Sequence, residues 1–174
     1  PHSALRNEIR SLKEEIKKYT GAKKSLNSPA HITIQRPFRK DSEFEVKLIN
    51  DLQLFAAKQK SFTVNISGFG CFEPRVIFID VLVSKEIQEL HTGLNSVLLD
   101  QLGFENKEIN KNIHPHITIA TRDLSKSAFD KVWPSYQKRK FDTEFTVKSI
   151  FLLKHNGKFW DVIQEFSFRD YIKL

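Results

Sequence analysis

An α+β fold of two duplicated lobes is predicted for this chain, with two antiparallel sheets lining a central cleft and helices on their outer faces. Three observations predict it. The tetrapeptide His-Ile-Thr-Ile occurs twice, at 31–34 and 116–119, a spacing of 85. The tripeptide Phe-Thr-Val also occurs twice, at 62–64 and 145–147, a spacing of 83. Segments of helical apolar period precede and follow each tetrapeptide. Self-similarity at one long period reads as a duplicated unit, because a solenoid needs at least three short repeats. Two copies are expected to form one bilobal domain over 1–174, with a first lobe at about 1–74 and a second at about 75–174, related by a rough two-fold that brings both tetrapeptides to a shared cleft.

The elements follow from period and punctuation. Leu5, Ile9, Leu12 and Ile16 are spaced by four, three and four, which predicts an amphipathic helix over 3–19 with Ser3 as N-cap and Gly21 as its stop. A loop to Pro29 leads into a motif strand at 30–35, ended by Pro37. A second helix over 42–58 would bury Val46, Ile49, Leu52, Phe55 and Ala56. Phe62, Val64 and Ile66 alternate as a strand at 61–66, and Gly68-Phe69-Gly70 interrupts it as a bulge or bend. An apolar strand at 75–83 feeds a third helix over 85–102, whose Ile87, Leu90, Leu94, Val97 and Leu98 face inward and which Gly103 ends. A polar loop at 104–112 precedes the second motif strand at 113–120. A short helix at 125–136 is capped by Ser125 and ends near Pro134. Strands at 141–154 and 158–167 form a hairpin around His155-Asn156-Gly157, since Asn-Gly marks a tight turn. The halves differ in one respect: an apolar strand feeds the third helix and none feeds the first. An apolar strand ahead of Pro1 is therefore expected in the natural protein, and without it the first lobe would carry a gap or an exposed edge.

Composition narrows the classes. Of 174 residues, 40% are hydrophobic and 28% charged, a globular balance with enough chain to bury a core unaided. The single cysteine, Cys71, excludes a disulfide framework and a cysteine metal cluster, and is expected to fill space. No apolar run approaches the ~20 residues that span a bilayer, and no signal peptide opens the chain. A cytoplasmic monomer without membrane contact is the expectation. The formal charge of +7 favours an anionic partner.

The chemistry lies in the tetrapeptides. On a strand, His31 and Thr33 share one face and Ile32 and Ile34 the other, and the same holds for His116 and Thr118 against Ile117 and Ile119. A single histidine on a strand is ordinarily a hydrogen-bonded structural residue, and a single threonine there is unremarkable. Two such pairs in a duplicated setting describe facing half-sites. Hydrolysis by acid–base catalysis needs a base to deprotonate water and an acid to protonate the leaving oxygen. Imidazoles on opposite walls suit both tasks near neutral pH. Thr33 and Thr118 can donate hydrogen bonds to substrate oxygens on which charge builds. No cofactor and no metal are required.

Read with their flanks, Ser28-Pro29-Ala30-His31-Ile32-Thr33-Ile34 and His114-Pro115-His116-Ile117-Thr118-Ile119 resemble the motif blocks of the 2H phosphoesterase superfamily, and within it the 2′-5′ RNA ligase / RNA 2′,3′-cyclic phosphodiesterase family. The resemblance covers most of the chain, because the element order matches as well; the family's opening strand is the departure. It implies that His31 and His116 are catalytic and that Thr33 and Thr118 bind phosphate. The implied activity is metal-independent hydrolysis of RNA 2′,3′-cyclic phosphate ends to 2′-phosphates, with reversible 2′-5′ RNA ligation at the same site. A phosphodiesterase on a small cyclic or linear nucleotide keeps the chemistry and changes the substrate. A non-catalytic module that binds RNA ends is the alternative of a different class.

Weaker candidates surround these four. Arg122 continues the face of His116 and Thr118 and could reach phosphate; a solvated strand end explains it equally well. His114 is a candidate substrate contact or a supporting residue; His-x-His could hint at zinc, but neither motif offers a third ligand. Arg36 should point away from His31. His2, His91 and His155 read as surface residues, and Lys138-Arg139-Lys140 as a solvated loop. Phe69, Phe72 and Phe104 could stack on a nucleobase, although capping the core is the favoured role among fifteen phenylalanines.

Overall fold

The computed structural model describes residues 1–171. Its order is α1 (Ser3–Thr20), α2 (Ser42–Ala56), β1 (Phe62–Phe72), β2 (Val76–Val81), α3 (Lys85–Ser96), β3 (His116–Ala120), α4 (Lys126–Gln137), β4 (Asp142–Val147), β5 (Ser149–His155) and β6 (Trp160–Ser167). Two antiparallel sheets form, one of order β3-β2-β1-β4 and one of β5-β6. Helices α1 and α4 cover the four-stranded sheet over Ile9, Ile16, Ile77, Ile79, Ile117 and Ile119, while α2 and α3 share a second core with Ile150, Phe166 and Phe168.

The repeated Phe-Thr-Val strands are antiparallel partners. Thr63 lies opposite Thr146, with Phe62 opposite Val147 and Val64 opposite Phe145. A local two-fold therefore passes between the two threonines, and Phe62, Val64, Phe145 and Val147 all line the cleft. On β3, Ile117 and Ile119 are fully buried, each contributing about 1.5–3 kcal/mol. A slip of one residue would drive both into solvent and turn His116 and Thr118 into the core, so packing fixes the register that presents the motif.

Several expectations need correction. The first motif is not a strand: 29–41 carries no ladder, because neither β5 nor β6 pairs with it. Its isoleucines still reach apolar surroundings, Ile32 packed on one core and Ile34 on the other, while all four residues of the motif line the cleft. Side chains hold the segment that follows: Gln35 Nε2 donates to Glu108 O at 2.8 Å, and Arg36 Nε to the same carbonyl at 3.3 Å. The cap of α1 is His2, whose Nδ1 accepts from Leu5 N, not Ser3. On α2, Leu48 is buried and Val46 is 67% exposed. The continuous strand expected at 141–154 breaks at Lys148, where the chain leaves one sheet for the other. β1 runs on past its bulge to Phe72, and α4 continues through Pro134 to Gln137. His91 is buried, not at the surface, with Asn95 Nδ2 at 3.4 Å from its Nε2. Arg139 is not merely solvated, since its Nη1 holds Glu15 of α1 at 2.9 and 3.1 Å.

Candidate active site

Each motif histidine is built in the same way. His31 Nδ1 lies 2.7 Å from the carbonyl of Pro29, and His116 Nδ1 lies 2.7 Å from the carbonyl of His114. A carbonyl can only accept, so each Nδ1 carries the hydrogen and each Nε2 is left with its lone pair. The same two-residue reach in both halves fixes tautomer and ring orientation alike, although one histidine opens a strand and the other sits on an unpaired segment.

The charge of His116 is among the influences that lower the His31 pKa. His31, Thr33, Thr118 and Arg122 line one cleft of about 1700 Å³. That exceeds the space a single small ligand needs and leaves room for a chain end. His116 is not among the lining side chains. Its ring stands on the same β3 face as Thr118, packed against Phe78 (centroids 4.9 Å apart) and Phe72 (5.2 Å). Arg122 takes φ 39° at the turn beyond β3, a left-handed conformation that a side chain rarely adopts. The next residue, Asp123, accepts from the backbone N–H of Lys23 and Lys24 at 2.8 and 2.9 Å, which ties the end of the second motif to the loop entering the first. His114 lies outside the cleft lining, its ring 6.0 Å from that of His116 and its Nε2 3.6 Å from Asp80 Oδ1.

Electrostatics differ between the halves. Burial holds His31 below its ordinary pKa of 6.5; the Pro29 carbonyl raises it, and the charges of Lys13 and His116 lower it further. Burial also holds His116 below 6.5, where the His114 carbonyl raises it, the His114 ring lowers it and the Asp80 carboxylate raises it. A cation thus stands near one ring and an anion near the other. Among the described residues, no group of three or more His, Cys, Asp or Glu side chains is placed to hold a metal ion, and no helix is long and apolar enough to cross a membrane.

The aromatic candidates separate. Phe104 is buried with Phe38 and Phe44, and Phe69 packs on Tyr136 and Phe141. Phe72 stays 43% exposed beside His116. His155 and Trp160 meet edge to face at 5.0 Å and line the cleft.

Gly70 matters to this arrangement. A Cβ built there would overlap the Phe78 ring, which is 3% exposed and enclosed by Phe72, His114 and His116. A shift of that ring presses on its neighbours, His116 among them. Gly70→Ala is expected to cost about 1–3 kcal/mol of stability as overpacking and to lower turnover about 10²-fold by moving the imidazole. Thermal denaturation and steady-state kinetics read the two effects separately.

Comparison with known proteins places the sequence and the fold. A profile described as the 2′-5′ RNA ligase superfamily matches residues 1–159. A provisionally named phosphoesterase of Geobacillus sp. (strain WCH70) is 28% identical over 143 residues, covering 79% of this chain and 78% of the relative. In fold, the chain is similar to the protein TT0787 of Thermus thermophilus, with a TM-score of 0.71 at 21% identity over 97% of this chain and 94% of the other. It is also similar to Escherichia coli LigT, crystallised with 3′-AMP, with a TM-score of 0.66 at 18% identity over 96% and 92%. Duplicated motifs, paired repeat strands and a profile spanning nearly the whole chain lead to one assignment: the chain belongs to the 2′-5′ RNA ligase superfamily, enzymes of the 2H phosphoesterase kind.

Proposed function

We propose that the protein hydrolyses RNA 2′,3′-cyclic phosphate ends to 2′-phosphates by acid–base catalysis between His31 and His116, without a metal ion. The observation that carries this reading is the matched tether of the two imidazoles, each bound through Nδ1 to the carbonyl two residues back and each left with a free Nε2. One Nε2 takes a proton from water as its oxygen bonds to phosphorus. The other gives a proton to the ribose 3′ oxygen as the P–O3′ bond breaks. The product is a 2′-phosphomonoester and a 3′-hydroxyl, and the enzyme returns to its starting protonation once a proton has crossed between the rings. Thr33 and Thr118 donate to the non-bridging oxygens, where charge builds. Arg122 supplies a fixed cation at the cleft wall. With an RNA 5′-hydroxyl in place of water, the same attack and the same departure of the 3′ oxygen give a 2′-5′ linkage; in the reverse direction acid and base exchange roles, the 3′-hydroxyl attacks and the cyclic phosphate re-forms.

The net charge of +7 and the size of the cleft favour an RNA end over a small nucleotide. LigT, similar in fold, is crystallised with the nucleotide 3′-AMP, which fits a phosphate and ribose in such a cleft. The test is incubation of an RNA ending in a 2′,3′-cyclic phosphate with the protein and EDTA. Conversion to the 2′-phosphate is expected, undiminished by the chelator. Tight binding without turnover would replace this reading with that of an RNA-end binding module.

A further inference from the structure

Lys13 stands in the apolar stripe of α1, between Ile9 and Ile16, and is 3% exposed. An ammonium in that place costs free energy relative to an apolar residue unless its hydrogen bonds are made. It makes two, both to backbone carbonyls of the loop entering the first motif: Nζ donates to Ser25 O at 2.8 Å and to Ser28 O at 3.1 Å. The next carbonyl, that of Pro29, accepts from His31 Nδ1. Helix, lysine, loop and imidazole form one continuous chain of contacts.

The second half has no need of such a device. His116 lies opposite Asp80 in the β2–β3 ladder, so its backbone is held by a sheet. The segment carrying His31 pairs with no strand among the described residues. We propose that Lys13 is the positioning residue of His31: its buried ammonium ties the Ser25 and Ser28 carbonyls to α1, and so does for the first motif what the ladder does for the second. The proposal rests on His31 being catalytic. The charges that act on His31 are those of Lys13 and His116, and Lys13 in turn feels Arg10; the cleft wall carries both signs, with Arg6, Lys24 and Arg36 as well as Asp41, Glu45 and Glu108. The nearby carboxylate of Asp123 is engaged by backbone N–H groups. Lys13 therefore also helps to keep the His31 ring neutral, with its Nε2 lone pair available.

The test is Lys13→Met, with Lys13→Gln, which keeps a donor but no charge, as the second variant. Kinetics on the cyclic-phosphate RNA are measured beside NMR titration of the histidine Cε1 protons, assigned with His31→Ala and His116→Ala. The expected result is a kcat lowered about 10²-fold with KM changed by less than about threefold. The His31 midpoint should move to higher pH while that of His116 stays in place. A kcat within about threefold of the parent, an unmoved His31 midpoint, or both histidines moving together would overturn the proposal. So would failure of both variants to fold, which would give Lys13 to the fold as a whole. The titration does not depend on turnover. An active His31→Ala enzyme sinks the functional reading while leaving the response of His31 to Lys13 on record, so the two failures are distinct.

Discussion

Alanine at position 31 or at position 116 is expected to lower kcat on an RNA 2′,3′-cyclic phosphate about 10²–10⁴-fold, the worth of one positioned acid or base. Each ring is half-buried and holds one carbonyl through Nδ1, so its removal takes away the proton carrier and leaves both cores intact. The double variant should fall little below the worse single one, because two groups that act on one phosphorus act as a unit. Thr33→Val and Thr118→Val should cost less, about 10–10²-fold, the value of a hydrogen bond to a charged oxygen. This ordering tests proton transfer against mere binding. If the histidines served only to hold phosphate, their loss would raise KM and leave kcat in place, and the threonine variants would be as severe. Rapid-quench measurement of a single turnover separates the two. A His31→Ala enzyme that keeps a tenth of its turnover would end the acid–base reading.

The half-sites are visible in the sequence because a repeated polar–apolar tetrapeptide encodes two faces at once, whether or not a ladder forms. Ile32 and Ile34 still reach their cores from an unpaired segment. Pairing itself is not local information, since alternation cannot name a partner strand. That is why the first motif reads as a strand and why 141–154 reads as one strand: apolar residues run on from Phe145 and Val147 to Ile150 and Leu152 across the change of sheet, although the odd spacing of Phe145 and Ile150 shifts the alternation by one. Helix faces divide the same way. In α3 and the π-helical turn that follows it (Val97–Gln101) the apolar positions fit one stripe, and Ile87, Leu90, Leu94, Val97 and Leu98 are all buried. In α2, Phe44, Val46, Leu48, Ile49, Leu52, Leu54 and Phe55 fit more than one stripe, and contact with β6 selects the one containing Leu48. Turn chemistry was local and legible: Asn156-Gly157 closes the β5–β6 hairpin with Gly157 at φ 98°, and Gly68 at φ 68° sits in the bulge of β1. Lys13 is marked in the sequence as a lysine set among Ile9, Leu12 and Ile16. A charge inside an apolar stripe asks for a partner, but only the fold shows that the partners are the carbonyls leading to His31.

The pH dependence follows from the direction in which both rings are displaced. In the proposed mechanism the active form carries one proton between two imidazoles, and burial holds each below its ordinary 6.5. As pH rises through the lowered pKa of the donor, the acid is lost; as pH falls through that of the acceptor, the base is protonated. The profile of kcat/KM should be a bell with its maximum below 6.5, and above neutrality it should fall about tenfold per unit, or about 10² between pH 7 and 9. Bound phosphate favours the protonated rings, so the profile of kcat should lie at higher pH than that of kcat/KM. The same displacement sets stability, which holds on the alkaline side where activity falls. The unfolded chain takes up its histidine protons near 6.5 and the folded chain only at lower pH, so the contribution present above 6.5 is lost as acid is added through the folded values. Asp80 then provides a way to assign the two roles. Its carboxylate raises His116 alone, so Asp80→Asn should lower the pKa of His116 and leave that of His31 in place. If His116 is the acid, the alkaline limb moves to lower pH; if it is the base, the acidic limb does. A flat profile from pH 5 to 9 in the parent enzyme would mean that neither imidazole transfers a proton in the step that limits the rate.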